Sequence, residues 1–137
     1  MIGTDYKSPT ALIEGRMRAL EQGDFSLIYD SYHSESPFLG FFRSKSEYLD
    51  FAEQQLKGLV LSEWKILRQR DTDSDDVEIL LWMRVGAQDL FELARLIPSD
   101  DGWRYHSAQK LTREEYRGSV EKINFADFDQ VAQKIRF

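Results

Sequence analysis

The spacing of apolar residues along this 137-residue chain changes most sharply at Leu59. Before that point apolar side chains recur at helical spacing. After it they alternate through four runs separated by turn-forming residues. A chain that collects its helices first and its strands last can bury both sets by laying the helices on one face of an antiparallel sheet. The sequence therefore predicts an α+β fold, with three N-terminal helices packed on a curved sheet of about four strands.

The helical half carries clear punctuation. Ser8-Pro9 reads as an N-cap followed by proline in the first turn. The helix it opens carries Leu12, Ile13, Met17 and Leu20 as a stripe and stops near Gln22 at Gly23. Asp24 caps a short second helix to about Tyr32, with Phe25, Ile28, Tyr29 and Tyr32 on its buried side. Residues 33–43 read as a loop with Phe38, Leu39, Phe41 and Phe42 clustered in it; its phenylalanines close over the core or, as the alternative, line a pocket entrance or a subunit contact. Ser44 and Glu47 form a capping-box pattern for a third helix with Tyr48, Ala52 and Leu56 inward, ending at Gly58. Residues 1–7 read as a loose start, and Gly15, Gly23, Gly40 and Gly58 as isolated punctuation.

The strand runs fall at about 59–70, 77–87, 90–98 and 103–111. The turns between them are read at Asp73-Ser74-Asp75-Asp76, Gln88-Asp89 and Ser99-Asp100-Asp101-Gly102. Alternation puts Trp64, Ile66 and Arg68 on one face, and sets Trp103 and Tyr105 against Arg104 and His106. The acids from Asp71 to Asp76 lack the glycine and the distal glutamate of a calcium loop and read as a hairpin turn. Beyond Leu111 helical patterning returns. Thr112 with Glu115, then Tyr116, Val120, Ile123, Phe125, Phe128, Val131, Ala132 and Ile135, predict a helical tail over 112–137. This tail is appended to a core of about 8–111 within one domain, and it is expected to cover the domain's own sheet.

Composition excludes several functions. With 24 acids against 18 bases the net charge is −6, which argues against a nucleic-acid partner. The absence of cysteine excludes disulfides, cysteine-ligated zinc, iron–sulfur clusters and thiol catalysis, and two histidines leave little for a metal site. A mean hydropathy of −0.51, without a long uncharged apolar run, excludes a spanning helix. No basic-then-apolar leader is visible at the N-terminus, so the expected location is cytoplasmic, with no membrane partner. No phosphate loop, dinucleotide glycine pattern or nucleophile elbow is present, and neither a cofactor nor a metal is expected.

One residue breaks the pattern of the first helix. Arg16 falls inside the apolar stripe, between Ile13 and Met17 on one side and Leu20 on the other. A cation there needs a partner, because an unpaired buried charge costs several kcal/mol.

The element order resembles the cone-shaped fold of nuclear transport factor 2 (NTF2-like). Within it, Ala11-Leu12-Ile13-Glu14-Gly15-Arg16-Met17-Arg18-Ala19-Leu20, continuing to Gly23-Asp24, is similar to the first helix of YchJ-type NTF2-like domains. Tyr32-His33 resembles that family's aromatic–histidine pair. Phe91-Glu92-Leu93-Ala94-Arg95-Leu96 resembles its H-E-x-S-R-F strand, and Trp103-Arg104-Tyr105 its W-x-Y strand. The match runs in order from about Ser8 to Tyr105. The departures are Ser34 in place of a proline, Phe91 in place of the strand histidine, and the missing cysteine-rich SEC-C zinc segments. The resemblance implies a fold rather than a reaction, and it places Arg16, His33, Glu92 and Arg95 at family positions.

Two roles are open to Arg16. It pairs with Glu92 or another acid to tie helix to sheet, or it clamps a ligand carboxylate or phosphate. Glu92 and Arg95, three apart on a strand, should face opposite sides, so only Glu92 suits Arg16 electrostatically. His33 is either a proton-transfer group or a histidine bonding the carbonyls of a helix end. His106 is expected to point outward. The preferred functional reading is a non-catalytic NTF2-like module, binding a small anionic or apolar ligand near Arg16, Tyr29, Tyr32, His33, Glu92 and Arg95, or pairing with itself as a homodimer. The alternative is a small acid/base enzyme of the dehydratase, isomerase or hydrolase type, with Arg16 as anion anchor and His33 moving the proton. In a third, the tail docks on a partner chain.

Overall fold

The computed structural model describes residues 6–129. Three helices, α1 (Pro9–Gln22), α2 (Phe25–Asp30) and α3 (Lys45–Gln55), precede four strands, β1 (Leu61–Asp71), β2 (Val77–Val85), β3 (Gln88–Ser99) and β4 (Gly102–Thr112). The strands form one antiparallel sheet in the order β1-β2-β3-β4, and three N-terminal helices pack on it, the α+β arrangement expected from the sequence and consistent with an NTF2-like fold. Among the described residues no helix is long and apolar enough to cross a membrane.

Local chemistry sets the helix ends. Ser8 Oγ accepts from the Ala11 amide, Asp24 Oδ1 from that of Leu27, and Ser44 Oγ from that of Glu47. These acceptors satisfy amides that have no partner within the first turn. After α2 the chain does not leave the sheet. The Tyr105 amide donates to Ser31 O at 2.9 Å and the His33 amide to Tyr105 O at 2.8 Å, so residues 31–33 lie parallel against the outer edge of β4. The loop that follows contains a 3₁₀ turn, Pro37–Phe41. Phe38 is fully buried there and Phe42 packs on the core, whereas Phe41 is exposed.

The sheet is covered on both sides. The helix-facing core contains Leu12, Ile13, Met17, Ile79, Leu81 and Leu96. On the other face Leu80, Phe91, Leu93 and Leu111 pack with Ile123 and Phe128 of the C-terminal segment. The described part of that segment differs from the expected α-helix. It is two 3₁₀ turns, Val120–Lys122 and Phe125–Phe128, joined by extended residues. Extended chain lets Ile123 and Phe128 both turn toward the sheet, while Asn124 and Asp127 form a capping box that an uninterrupted helix would lack. The expected apolar residues Val131, Ala132 and Ile135 lie outside the described residues.

Other departures have equally local causes. The β2–β3 turn is Gly86-Ala87, with Val85 paired to Gln88, two residues before the expected Gln88-Asp89. Gly86 takes a φ of 62°, which only glycine adopts freely, so it sets the turn. Asp89 is thereby released to pair with Arg84 and Arg113. In β1 the register slips between Ile66 and Arg68. This bulge moves Arg68 off the expected Trp64–Ile66 face, and its guanidinium donates to Ile123 O and Glu121 O of the tail.

The loose start is also corrected. Tyr6 is buried, and its carbonyl accepts from the Trp103 amide. A Cβ at Gly15 would lie 2.7 Å from the Tyr6 ring, and one at Gly102 would lie 2.6 Å from the Tyr6 carbonyl oxygen. Gly15 is therefore a seat for Tyr6 rather than punctuation.

If the tail is an integral second layer, removing its anchor should cost core stability. We expect Phe128→Ala to destabilise the chain by about 3 kcal/mol, read as a lower urea midpoint. A midpoint equal to the parent's would show that the tail is dispensable.

Candidate functional site

Arg16 enters the core on the buried side of α1 and is 6% exposed. Its Nη1 donates to Ser31 Oγ at 2.6 Å, and Ser31 Oγ donates in turn to Ile28 O. The guanidinium carbon lies 3.7 Å from the centroid of the Tyr105 ring and 4.9 Å from that of Tyr32. The cation is thus held against aromatic faces, whose quadrupoles attract it, with a hydroxyl at its edge.

Tyr105 passes the contact onward. Its hydroxyl donates to Glu92 Oε2 at 2.7 Å, and Lys110 Nζ lies 3.3 Å from Glu92 Oε1. Glu92 and Lys110 are direct cross-strand partners on β3 and β4. The expected Arg16–Glu92 pair is therefore replaced by a chain from Arg16 to Tyr105 to Glu92 to Lys110. A bulge makes this possible. Arg95 pairs with Ser107 but Leu96 pairs with Tyr105, leaving His106 as the extra residue. Tyr105, Ala108 and Lys110 then share the helix-facing side although the first step between them is three residues.

Burial and charge compete in this cluster. Burial acts against the Arg16 charge, but the phenol oxygens of Tyr32 and Tyr105 and the Glu92 carboxylate outweigh it, and its pKa is raised. Burial pushes the phenols of Tyr6, Tyr32, Tyr48 and Tyr105 above their ordinary value, with Glu92 adding to the effect at Tyr105. The hydroxyls of Tyr6, Tyr32 and Tyr48 are buried without a hydrogen-bond partner of good geometry.

Beside the cluster lies a cavity of about 100 Å³. Its apolar wall includes Met17 and Leu20 of α1, Leu81 and Met83 of β2, and Leu59 of the α3–β1 connection. Arg16, Glu92 and Lys110 are its charged lining residues.

The structure brings Arg16, Tyr32 and Glu92 together through Tyr105 and leaves Tyr29, His33 and Arg95 away from the cavity beside Arg16 and Glu92. Tyr29 packs on Tyr48, with ring centroids 5.4 Å apart. His33 lies in a second depression, lined by Tyr32, Ser34, Ser99, Asp101 and Arg104, and its Nδ1 accepts from the Glu35 amide at 3.1 Å. It does not line the cavity, and it bonds an amide rather than the expected helix-end carbonyls. Arg95 is on the opposite face of the sheet, where its Nε donates to Asp76 at 2.7 Å. Asp76 closes the acidic hairpin turn through its carbonyl, which accepts from the Thr72 amide. His106 is half-buried at the bulge, with Nδ1 2.8 Å from Ser107 Oγ. Burial lowers its pKa, with the Arg95 charge second.

Ser31, Tyr105 and Lys110 were not among the sequence candidates for the site. Lys110 carried a usable signal, since it stands about as far beyond the Ser99–Gly102 turn as Glu92 stands before it. Comparison of the chain with protein-family models, with curated proteins and with solved structures finds no match.

Two outcomes follow from this geometry. Arg16→Ala removes a buried cation on which Ser31, Tyr32 and Tyr105 converge, and should lower stability by roughly 3 kcal/mol. Arg16→Lys should recover only part of this, because an ammonium lacks the planar face that stacks on Tyr105. An unchanged thermal midpoint in the alanine variant would overturn the structural role. The second outcome concerns alkaline pH. The raised phenols keep their protons in the folded state after the unfolded chain would have lost them. Their contribution is therefore intact below about pH 10 and is lost as pH rises beyond it. Phenolate absorbance of Tyr6, Tyr32, Tyr48 and Tyr105 should appear together with loss of circular dichroism. Ionisation of all tyrosines while the fold persists would contradict it.

Proposed function

We propose that this chain is a non-catalytic small-ligand-binding module whose ligand enters the cavity between α1, the α3–β1 connection and the sheet. One observation carries this reading: a mainly apolar cavity whose charged lining groups cluster on α1, β3 and β4. Ligand sites are commonly built in this way, with apolar walls for affinity and a few polar points for orientation. The acid/base enzyme reading requires His33 to share a concavity with Arg16, and His33 lines a different depression. General acid–base chemistry requires the proton-moving group within reach of the bound substrate. The binding reading is therefore the better supported.

We also propose that the chain is a divergent relative of YchJ-type NTF2-like domains. What supports this is convergence. Arg16, Tyr32, Glu92 and Tyr105 come from the separate stretches that carry the resemblance, and they form one cluster.

Small amphipathic and neutral apolar molecules should raise the thermal midpoint of the native chain. Leu20→Trp, which places an indole in the cavity wall, should abolish the rise while the variant remains folded by circular dichroism. A rise equal to that of the parent would locate binding elsewhere and overturn the proposal.

A further inference from the structure

We infer that the cavity takes a small ligand with an apolar body and a single negative charge, a short-chain monocarboxylate in chemical class, with its head at Lys110 and Arg16. The inference rests on the cavity reading above and narrows it.

The first observation is charge. The ionisable lining groups are Arg16, Lys110 and Glu92, an excess of one positive charge within a chain whose net charge is −6. Each is largely withdrawn from water: Arg16 and Glu92 are 6% exposed, and the Lys110 side chain 14%. Excess charge in such a place is weakly screened and favours a counter-ion of opposite sign. One excess charge suits a monoanion, whereas a phosphate dianion would reverse the imbalance and leave a buried negative charge.

The second observation is donor capacity. Each Glu92 oxygen already has a donor, Oε2 the Tyr105 hydroxyl and Oε1 the Lys110 ammonium. The Lys110 ammonium carries three N–H donors, and Glu92 is the only ion-pair partner it has among the described residues. The site therefore presents donors to a ligand from Lys110, and its only carboxylate is already engaged. An incoming cation would meet the like charges of Lys110 and Arg16, with the one lining carboxylate already paired.

The third observation is the wall. Met17, Leu20, Leu81, Met83 and Leu59 offer no hydrogen bonds to a second polar group, and Leu59 is 54% exposed, so the apolar lining continues to the surface. A cavity of about 100 Å³ gives room for a short chain rather than a long lipid tail.

The test compares hexanoate, 1-hexanol and hexylamine, which share one apolar body. Each is titrated near neutral pH into protein carrying ¹³C-methyl methionine. Met17 and Met83 are two of the chain's three methionines and both line the cavity, so their methyl signals report occupancy directly. Hexanoate should bind at least about tenfold more tightly than hexanol, as charge-assisted hydrogen bonds outweigh neutral ones, and hexylamine should bind most weakly. In Lys110→Gln the advantage of hexanoate over hexanol should disappear while hexanol still shifts both methyls. Hexanol binding as well as hexanoate to the native chain would overturn the charge inference and leave the cavity reading standing. Failure of all three to move the Met17 and Met83 signals would overturn both.

Discussion

Burying one guanidinium organises this fold. Removing a cation from water costs several kcal/mol unless its surroundings return comparable attraction. Arg16 recovers that cost from three directions: the Ser31 hydroxyl, the Tyr105 ring and the Tyr32 ring. Those groups belong to the end of α2, to β4 and to the segment lying along β4. Satisfying Arg16 therefore fixes α1 against all three. Tyr105 is the common element. Its ring carries the cation, its hydroxyl holds Glu92, and its backbone pairs with Ser31 and His33. No other residue in the cluster connects helix, edge segment and neighbouring strand in this way.

The sheet must then serve two layers at once, and the bulges accomplish this. In β4 the extra residue at His106 lets Tyr105 and Ala108 both face the helices. In β1 the slip between Ile66 and Arg68 sends Arg68 to the far side, where it binds tail carbonyls. A strictly alternating strand would have placed that cation in the helix-facing core. The far side then closes through Ile123 and Phe128, so both faces of the central strands β2 and β3 are buried. Leu56, Leu59 and Leu61, on the chain leading into β1, border the cavity.

What could be read from the residues alone divides along physical lines. The change of apolar period at Leu59 and the caps at Ser8, Asp24 and Ser44 are local signals, and they placed the helices and strands. Arg16 was legible as a buried cation because it interrupts an apolar stripe. Its surroundings were not, because the expected partner was an acid and the actual one is largely an aromatic face. A bulge adds a single residue and leaves the apparent alternation on either side intact, so neither bulge could be read. Gly86 was overlooked because Gln88-Asp89 has the more obvious turn composition, yet backbone conformation outweighs composition in a two-residue turn. Tyr6 was lost for a different reason. Its seat is made by Gly15 and Gly102, and contacts between distant positions leave no mark on local spacing.

The same cluster explains why binding is better supported than catalysis. A proton acceptor needs an oxygen or nitrogen that a substrate proton can approach. Both Glu92 oxygens already face donors, and the nearest histidine candidates sit outside the cavity, His33 at the Arg104 depression and His106 at the β4 bulge. The remaining charged groups, Arg16 and Lys110, can hold and orient an anion but have no basic lone pair to offer while protonated. An arrangement that spends its carboxylate on internal bonds and leaves a positive excess against an apolar wall is what supports the proposed retention of a small amphipathic molecule over its transformation.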